Sequence, residues 1–317
     1  MILKNHNKVP NTHFVIYCNE RTIPLAGICL KYFDKYVGLD NINISVALNR
    51  FNDVSNLPYC DKVNYLSPQI PFDPGGHHFA PVMAHAIDSI TEDFIFYFCE
   101  DYMLTSDLDF ESLNKLINIF TNEKVDNYTF SSFQPENHNK TQQPPNFFKL
   151  FPFSEKYGFK SDELYYVGDG HMHQFSVQPC IWRKSSYKEL FKYNPDCRLH
   201  HLDSSHIKGK NGTYRDHHVG SLDYYLPWSS NEDYMFRTLC SKYMTFDYYP
   251  YANQKFIITY VEMVGHGKFT LPGRPGNNLA PDNWVQQKIF EIVNECDLRN
   301  KPEFDIYFYD KQQKNYY

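Results

Sequence analysis

The run Phe94-Ile95-Phe96-Tyr97-Phe98-Cys99 constrains this chain more than any other segment. Its six apolar residues fall far short of the roughly 20 that a membrane-spanning helix needs. They also lack the alternation of a strand wetted on one side, so they read as a strand covered on both faces. Just before the run, Phe79, Val82, Met83, Ala86, Ile87 and Ile90 fall at offsets 0, 3, 4, 7, 8 and 11, the stripe of a helix lying on a sheet. Directly after it come two acids, Glu100 and Asp101. A helix feeding a buried strand that ends in carboxylates belongs to an α/β architecture with a mostly parallel central sheet.

The rest of the first half repeats this texture. His13 to Cys18, Ile42 to Leu48 and Lys62 to Leu66 read as strands, and Leu25, Ile28, Cys29 and Tyr32 lie at helical spacing between the first two. A further helix is expected from about Asp109 to Phe120, buried through Leu113, Leu116, Ile117 and Phe120. Residues 134–165 are rich in Pro, Asn, Gln and aromatics and read as a surface excursion. A strand resumes over Gln174 to Arg183, and Ser186-x-x-Glu189 reads as the capping box of a short helix. Residues 194–224 form a His-, Asp- and Gly-rich stretch without periodicity. Beyond it are expected a helix over about Asn231 to Tyr243, a strand near Phe256 to Val261 and a last helix over about Asp282 to Cys296.

Composition removes several function classes. With 26 Tyr, 26 Phe and 3 Trp, the chain has too much apolar area for intrinsic disorder. Its 31 basic against 37 acidic side chains argue against a broad nucleic-acid surface, although a nucleic-acid acceptor at a local groove is not excluded. The 8 cysteines contain no C-x-x-C pair and sit partly inside apolar runs, so they read as reduced core thiols. No apolar leader follows Met1 to Pro10, and the expected location is cytoplasmic.

The acids at positions 100 and 101 stand where open α/β sheets bind ligands, at the C-terminal end of a buried strand. Two like charges there repel and are costly to desolvate, and a divalent cation with hard oxygen ligands, Mn²⁺ or Mg²⁺, compensates both costs. The plainer reading makes them the polar start of a loop. The histidines His200, His201, His206, His217 and His218, with Asp196, Asp203, Asp216 and Asp223, offer a transition-metal set, but they lack a hydrolase spacing.

The order of the segments resembles GT-A fold nucleotide-sugar glycosyltransferases. The resemblance is carried by the helix, apolar strand and Glu100-Asp101-Tyr102-Met103-Leu104, in the place of a DxD-type motif. It is extended by Ser176-Val177-Gln178-Pro179-Cys180-Ile181-Trp182-Arg183, similar to an "slQpaiW+k" strand and turn. Pro227-Trp228-Ser229-Ser230-Asn231-Glu232-Asp233 is similar to a "PWxxE" segment, and Gly265-His266-Gly267-Lys268-Phe269 to a closing "GKW" segment. Two departures stand out: the acidic motif is Glu-Asp-Tyr rather than Asp-x-Asp, and the acid after Trp228 comes one residue late.

The resemblance implies a Rossmann-like GT-A domain over residues 1–275, with a nucleotide-sugar half to about 110 and a loop-rich acceptor half to 275, followed by a C-terminal helix and tail over 276–317. It implies transfer of a hexosyl or pentosyl group from a nucleotide-diphosphate donor, a UDP-sugar favoured, to the hydroxyl of a glycan or other acceptor, with inversion and metal assistance. Glu100 and Asp101 would hold Mn²⁺ or Mg²⁺ and the diphosphate, and Glu232 or Asp233 would take the acceptor proton. Ser229-x-x-Glu232 is also a capping box, so that acid has a structural alternative. Asn19, Arg21, His78, Gln178, His266 and Lys268 are expected around the donor, and Trp182 and Trp228 around the acceptor. Two other readings compete: a metal-dependent hydrolase or nuclease built on residues 196–223, and an inactive glycan-binding protein on the same scaffold.

Overall fold

A computed structural model describes residues 8–18, 22–51, 53–69, 79–123, 125–130, 148–160, 164–167, 179–190, 245–248, 257–265, 268–269, 271 and 283–308. The chain opens with β1 (Thr12–Tyr17), α1 (Ile23–Tyr36), β2 (Asn43–Ala47), β3 (Asn64–Leu66), α2 (Phe79–Ser89) and β4 (Phe94–Cys99). It continues through β5 (Tyr102–Leu104), α3 (Phe110–Asn122), β6 (Asn127–Phe130), β7 (Phe148–Leu150), β8 (Tyr165–Val167), β9 (Cys180–Arg183) and α4 (Lys184–Leu190). The last elements are β10 (Thr245–Tyr248), β11 (Tyr260–Glu262), β12 (Val264–Gly265), β13 (Lys268–Phe269), α5 (Asn283–Glu295) and α6 (Asp305–Phe308).

Among the described residues a nine-stranded sheet runs in the order β3-β2-β1-β4-β9-β6-β10-β8-β7. The first four strands are parallel, with Thr12 opposite Phe94 and Tyr17 opposite Cys99 across the β1–β4 ladder. Strand β9 then pairs antiparallel with both β4 and β6, and β10 returns parallel to β6. The chain thus lays down β1, β2 and β3 toward one edge and crosses back to place β4 on the other flank of β1. That reversal makes the β1–β4 boundary a topological switch point, where the carboxyl ends of adjacent strands diverge and leave a crevice.

Alternation along the strands sorts the two faces. Phe14, Ile16, Phe94, Phe96 and Phe98 join α1 and α3 in one core, while Val15, Ile95 and Tyr97 join α2 and α4 in the other. Both faces of β1 and β4 are therefore covered, as the unbroken apolar run requires. The Phe14 and Phe96 rings lie 4.8 Å apart, and Phe96 stacks on Phe130 at 4.9 Å, which carries the core from the parallel strands into β6. Full burial of each such ring stabilises the fold by about 1.5–3 kcal/mol.

Local sequence explains where the helices begin and end. Pro24 occupies the first turn of α1, where its missing N–H costs nothing. The helix stops at Gly38, whose φ of +74° lets its N–H return to the Phe33 carbonyl at 3.0 Å. Asp109 caps α3 by accepting from the Ser112 N–H at 3.1 Å. Helix α5 docks on α1, where the Tyr32 hydroxyl donates to Glu295 at 2.9 Å, and its Ile289, Ile292 and Val293 enter the α1-side core.

Two expectations need correction. Ser186 is not a helix cap: α4 already starts at Lys184, and the Ser186 hydroxyl donates to Asp126, tying α4 to the residue before β6. The Pro-rich stretch over 134–165 is more than an excursion, since β7 lies within it and pairs antiparallel with β8 at the sheet's far edge. The expected helix over Asn231 to Tyr243 lies outside the described residues.

Candidate functional site

The crevice at the β1–β4 boundary is built by the backbone before any side chain is considered. The Glu100 N–H continues the ladder by donating to the Tyr17 carbonyl at 3.1 Å. The Met263 N–H donates to the Asp101 carbonyl at 2.8 Å, and β11 pairs antiparallel with β5 so that Glu262 stands opposite Tyr102. The Tyr102 and Tyr260 rings meet edge to face at 5.3 Å, and the Tyr260 hydroxyl donates to the Phe130 carbonyl at 2.5 Å. Both acids of the pair are thereby fixed between the central strand and a second, shorter ladder.

Glu100 is 8% exposed. Burial pushes its carboxyl up to about 7, against the pull of the Thr22 hydroxyl, which donates to it, and of a backbone N–H. Asp101 is raised well above the carboxylate range, first by burial and then by the charges of Glu100 and Glu262. The Cys99 thiol lies on the same rim, and one ligand atom from each of Cys99, Glu100 and Asp101 falls within 4.8 Å of the others. Among the described residues neither acid forms an ion pair with Lys, Arg or His.

Desolvated like charges without a counter-cation carry an electrostatic cost that a divalent ion would relieve. The donor set, two carboxylates and a thiol at a partly open rim, fits such an ion: the carboxylates suit Mg²⁺ or Mn²⁺ and the sulfur suits softer cations.

The C-terminal elements close on the same end of the sheet. Strand β13 pairs with β12 through Val264 opposite Phe269 and Gly265 opposite Lys268. Phe269 is buried against α6, its ring 5.1 Å from that of Tyr307. The Tyr307 hydroxyl is pushed to about 12 by burial and then by the charges of Glu100, Cys18 and Asp101, which places it within the field of the acid pair. Thr22, Cys99, Glu262 and Tyr307 are the site residues that the sequence analysis missed. Cys99 was legible as the last residue of the strand, whereas Glu262 and Tyr307 arrive from more than 150 residues away with no local signal.

Of the residues expected from sequence, Glu100 and Asp101 are brought together, and Lys268 is placed in β13 by its backbone. Trp182 requires a correction. It lies in the middle of β9 between Ile95 and Asn127, is 1% exposed, and stacks on Tyr187 at 5.1 Å with an interplanar angle of 9°. A ring packed this way is part of the α2/α4-side core and offers no face to an acceptor. Asn19, Arg21, His78, Gln178, Trp228, Glu232, Asp233 and His266 lie outside the described residues, as does the His/Asp-rich segment 196–223. No described helix is long and apolar enough to cross a membrane.

No family model and no curated protein matches the chain. Among solved structures it is similar to S. aureus TarS 1-349 in complex with UDP-GlcNAc, at 14% identity and a TM-score of 0.36 over 56% of this chain and 46% of that one. The chain therefore spans about half the length of TarS 1-349. It is similar to the galactosyltransferase LgtC in complex with donor and acceptor sugar analogs, at 8% identity and a TM-score of 0.41 over 89% of this chain and 95% of that one. It is also similar to the mannosyltransferase PcManGT from Pyrobaculum calidifontis in complex with GDP-Man and Mn²⁺, at 8% identity and a TM-score of 0.36 over 60% and 50% of the two chains.

Proposed function

We propose that this protein is a GT-A-type glycosyltransferase that moves a sugar from a nucleotide-diphosphate donor to an acceptor hydroxyl. The observation that carries the reading is the position of Glu100 and Asp101 at the switch point between β1 and β4, where the strand order reverses and open α/β sheets bind their ligands. The ordered motifs of the sequence support it, from Glu100-Asp101-Tyr102 through Gln178 and Pro227-Trp228 to Gly265-His266-Gly267-Lys268.

In this reading residues 1–110 hold the donor, with a UDP-sugar favoured, and residues 111–275 the acceptor. A divalent cation bound at the acid pair would neutralise charge on the departing diphosphate. Glu100 and Asp101 would hold that cation, and hydrogen bonds from the Glu100 N–H and to the Asp101 carbonyl fix the backbone that carries them. Asn19 and Arg21, which follow β1 in the sequence, are assigned to the nucleotide base, and His78, which precedes α2 in the sequence, to the ribose or phosphates. His266 and Lys268 are assigned the role of supplying positive charge to the leaving group. Glu232 or Asp233 takes the acceptor proton as the new glycosidic bond forms on the face opposite the leaving diphosphate, which inverts the anomeric carbon. Trp228 is assigned to the acceptor, a glycan or another hydroxyl-bearing molecule.

The test is a thermal-shift panel of UDP-, GDP-, CMP- and dTDP-sugars with and without Mn²⁺, repeated on Asp101→Asn. The expected result is a nucleotide-selective shift that Mn²⁺ enlarges and the variant loses. No shift from any nucleotide sugar, with or without metal, would overturn the reading.

A further inference from the structure

After α5 the chain turns at Asp297, whose φ of +50° is a conformation that Asp tolerates, and two short 3₁₀ turns, Leu298–Asn300 and Pro302–Phe304, carry it into α6. Leu298 and Phe304 are buried, and the Arg299 guanidinium lies 5.0 Å from the centre of the Phe308 ring, so the segment is anchored along its length. It closes around Phe269, with the Tyr307 ring at 5.1 Å and the Phe308 ring edge to face at 5.0 Å. Phe269 stands opposite Val264 across the β12–β13 ladder, and the neighbouring Met263 N–H donates to the Asp101 carbonyl at 2.8 Å. The packing thus leads from α6 to the acid pair.

Tyr307 is 5% exposed, yet its hydroxyl makes no hydrogen bond among the described residues. Buried tyrosine hydroxyls ordinarily find a partner. Thr105 Oγ1 and Asn114 Oδ1 are also unpartnered, but they are sealed from solvent, whereas the Tyr307 oxygen is not. Burial, and then the charges of Glu100, Cys18 and Asp101, hold the phenol's proton up to about 12, so at neutral pH the group is an uncommitted donor beside the acid pair.

We propose that Tyr307 is a donor-site residue whose hydroxyl donates a hydrogen bond to a diphosphate oxygen of the bound nucleotide. The inference rests on the glycosyltransferase reading and deepens it, because it brings the segment beyond residue 275 into a site otherwise assigned to residues 1–110. The chemical class follows from the surroundings. Ionised carboxylates only accept, so Glu100 and Asp101 can serve sugar hydroxyls but repel a phosphate, which needs positive charge and donors. A neutral phenol supplies a donor without adding charge. Its hydrogen bond to an anionic oxygen is shorter and stronger than one between neutral groups.

The test is Tyr307→Phe in the full chain, which keeps the ring on Phe269 and removes only the hydroxyl. Because that hydroxyl holds nothing in the protein, the ligand-free melting midpoint should stay within about 2 °C of the parent. Calorimetric titration in Mn²⁺ with UDP, GDP, dTDP and their nucleosides reads the site. Expected are a loss of about tenfold or more for whichever diphosphate the parent binds, unchanged nucleoside binding, and Mn²⁺ affinity without nucleotide within about twofold of the parent. Undiminished diphosphate affinity would overturn the proposal and leave the glycosyltransferase reading standing. Equal weakening of nucleoside and diphosphate would put the hydroxyl on the base or ribose, lost Mn²⁺ binding would put it on the acids, and a lowered midpoint would mean that it is committed within the protein. Each of these overturns the proposal too. A parent that binds none of the three diphosphates would remove the reading itself, and the inference with it.

Discussion

The Glu100 N–H donates to the Tyr17 carbonyl at 3.1 Å, so the first acid of the pair is held by the end of the central strand and cannot swing to solvent to relieve its burial. Folding therefore makes this carboxyl harder to ionise, raising it from 4.5 to about 7. A raised acid binds more protons in the native state than in the unfolded one, so stability is highest below the unfolded value and falls as pH rises through the folded one. For the metal-free protein, Glu100 alone is expected to lower stability by up to about 3 kcal/mol between pH of about 4.5 and about 7. Urea melts in a chelating buffer across this window would check it. Glu100→Gln should flatten that slope, and an unchanged slope in the variant would refute the assignment.

Asp101→Asn separates the cost of the site from its use. The substitution removes a buried charge that Glu100 and Glu262 both oppose, so the metal-free variant should melt above the parent. With Mn²⁺ and nucleotide sugar added, the order should reverse. The parent gains about 2.7 kcal/mol at about a 100-fold excess over Kd, and the variant gains little. Paired thermal melts with and without ligands measure both effects, and a variant that is less stable in both conditions would contradict this account.

Trp182 gives a prediction that tells a core residue from an acceptor platform. Its ring is stacked on Tyr187 inside the α2/α4-side core. Trp182→Ala should cost about 3–5 kcal/mol. Trp182→Phe, which keeps most of the volume, should lose much less and leave acceptor KM unchanged. A raised acceptor KM in a well-folded Trp182→Phe would restore the ring to the acceptor site.

What the sequence made legible follows from how local each signal is. The β4 run, the α2 stripe and the α3 stripe are written in contiguous residues, and the elements fall within a few residues of where periodicity places them. The acid pair was legible because it abuts the most apolar strand in the chain. Strands β6, β7 and β8 were not, because three or four residues carry no measurable period and their identity as strands comes only from partners far along the chain. The same reason hid Glu262 and Tyr307, which reach the crevice by long-range pairing and ring packing. Trp182 was misread because a Trp beside an Arg at the end of an apolar run looks the same in sequence whether it faces a ligand or a helix. Only the register opposite Ile95 and the ring of Tyr187 decide between them.

At the opposite end of the same strands, a second carboxylate titrates with the other sign. Glu92 accepts from His13 Nδ1 at 3.3 Å and from Asn43 Nδ2 at 2.5 Å, while His13 Nε2 lies 2.7 Å from the Ser45 hydroxyl. These bonds tie the starts of β1 and β2 to the turn that leads into β4. The hydrogen bond from His13 is the largest influence on Glu92 and outweighs its partial burial, holding its carboxyl at about 2 rather than 4.5. A depressed acid contributes stability above its unfolded value and loses it as pH falls toward the folded one. The clamp is therefore expected to hold at neutral pH and to release between about pH 4.5 and about 2. Glu92→Gln should cost about 1–3 kcal/mol at pH 7, with the penalty vanishing at the acid end of that window, and should leave nucleotide-sugar affinity unchanged. Equilibrium unfolding of the parent and the variant at matched pH gives the difference directly. A penalty that persists undiminished near pH 2 would assign it to packing rather than to the carboxylate's charge, and a lost nucleotide-sugar affinity would mean that the two ends of the sheet are coupled.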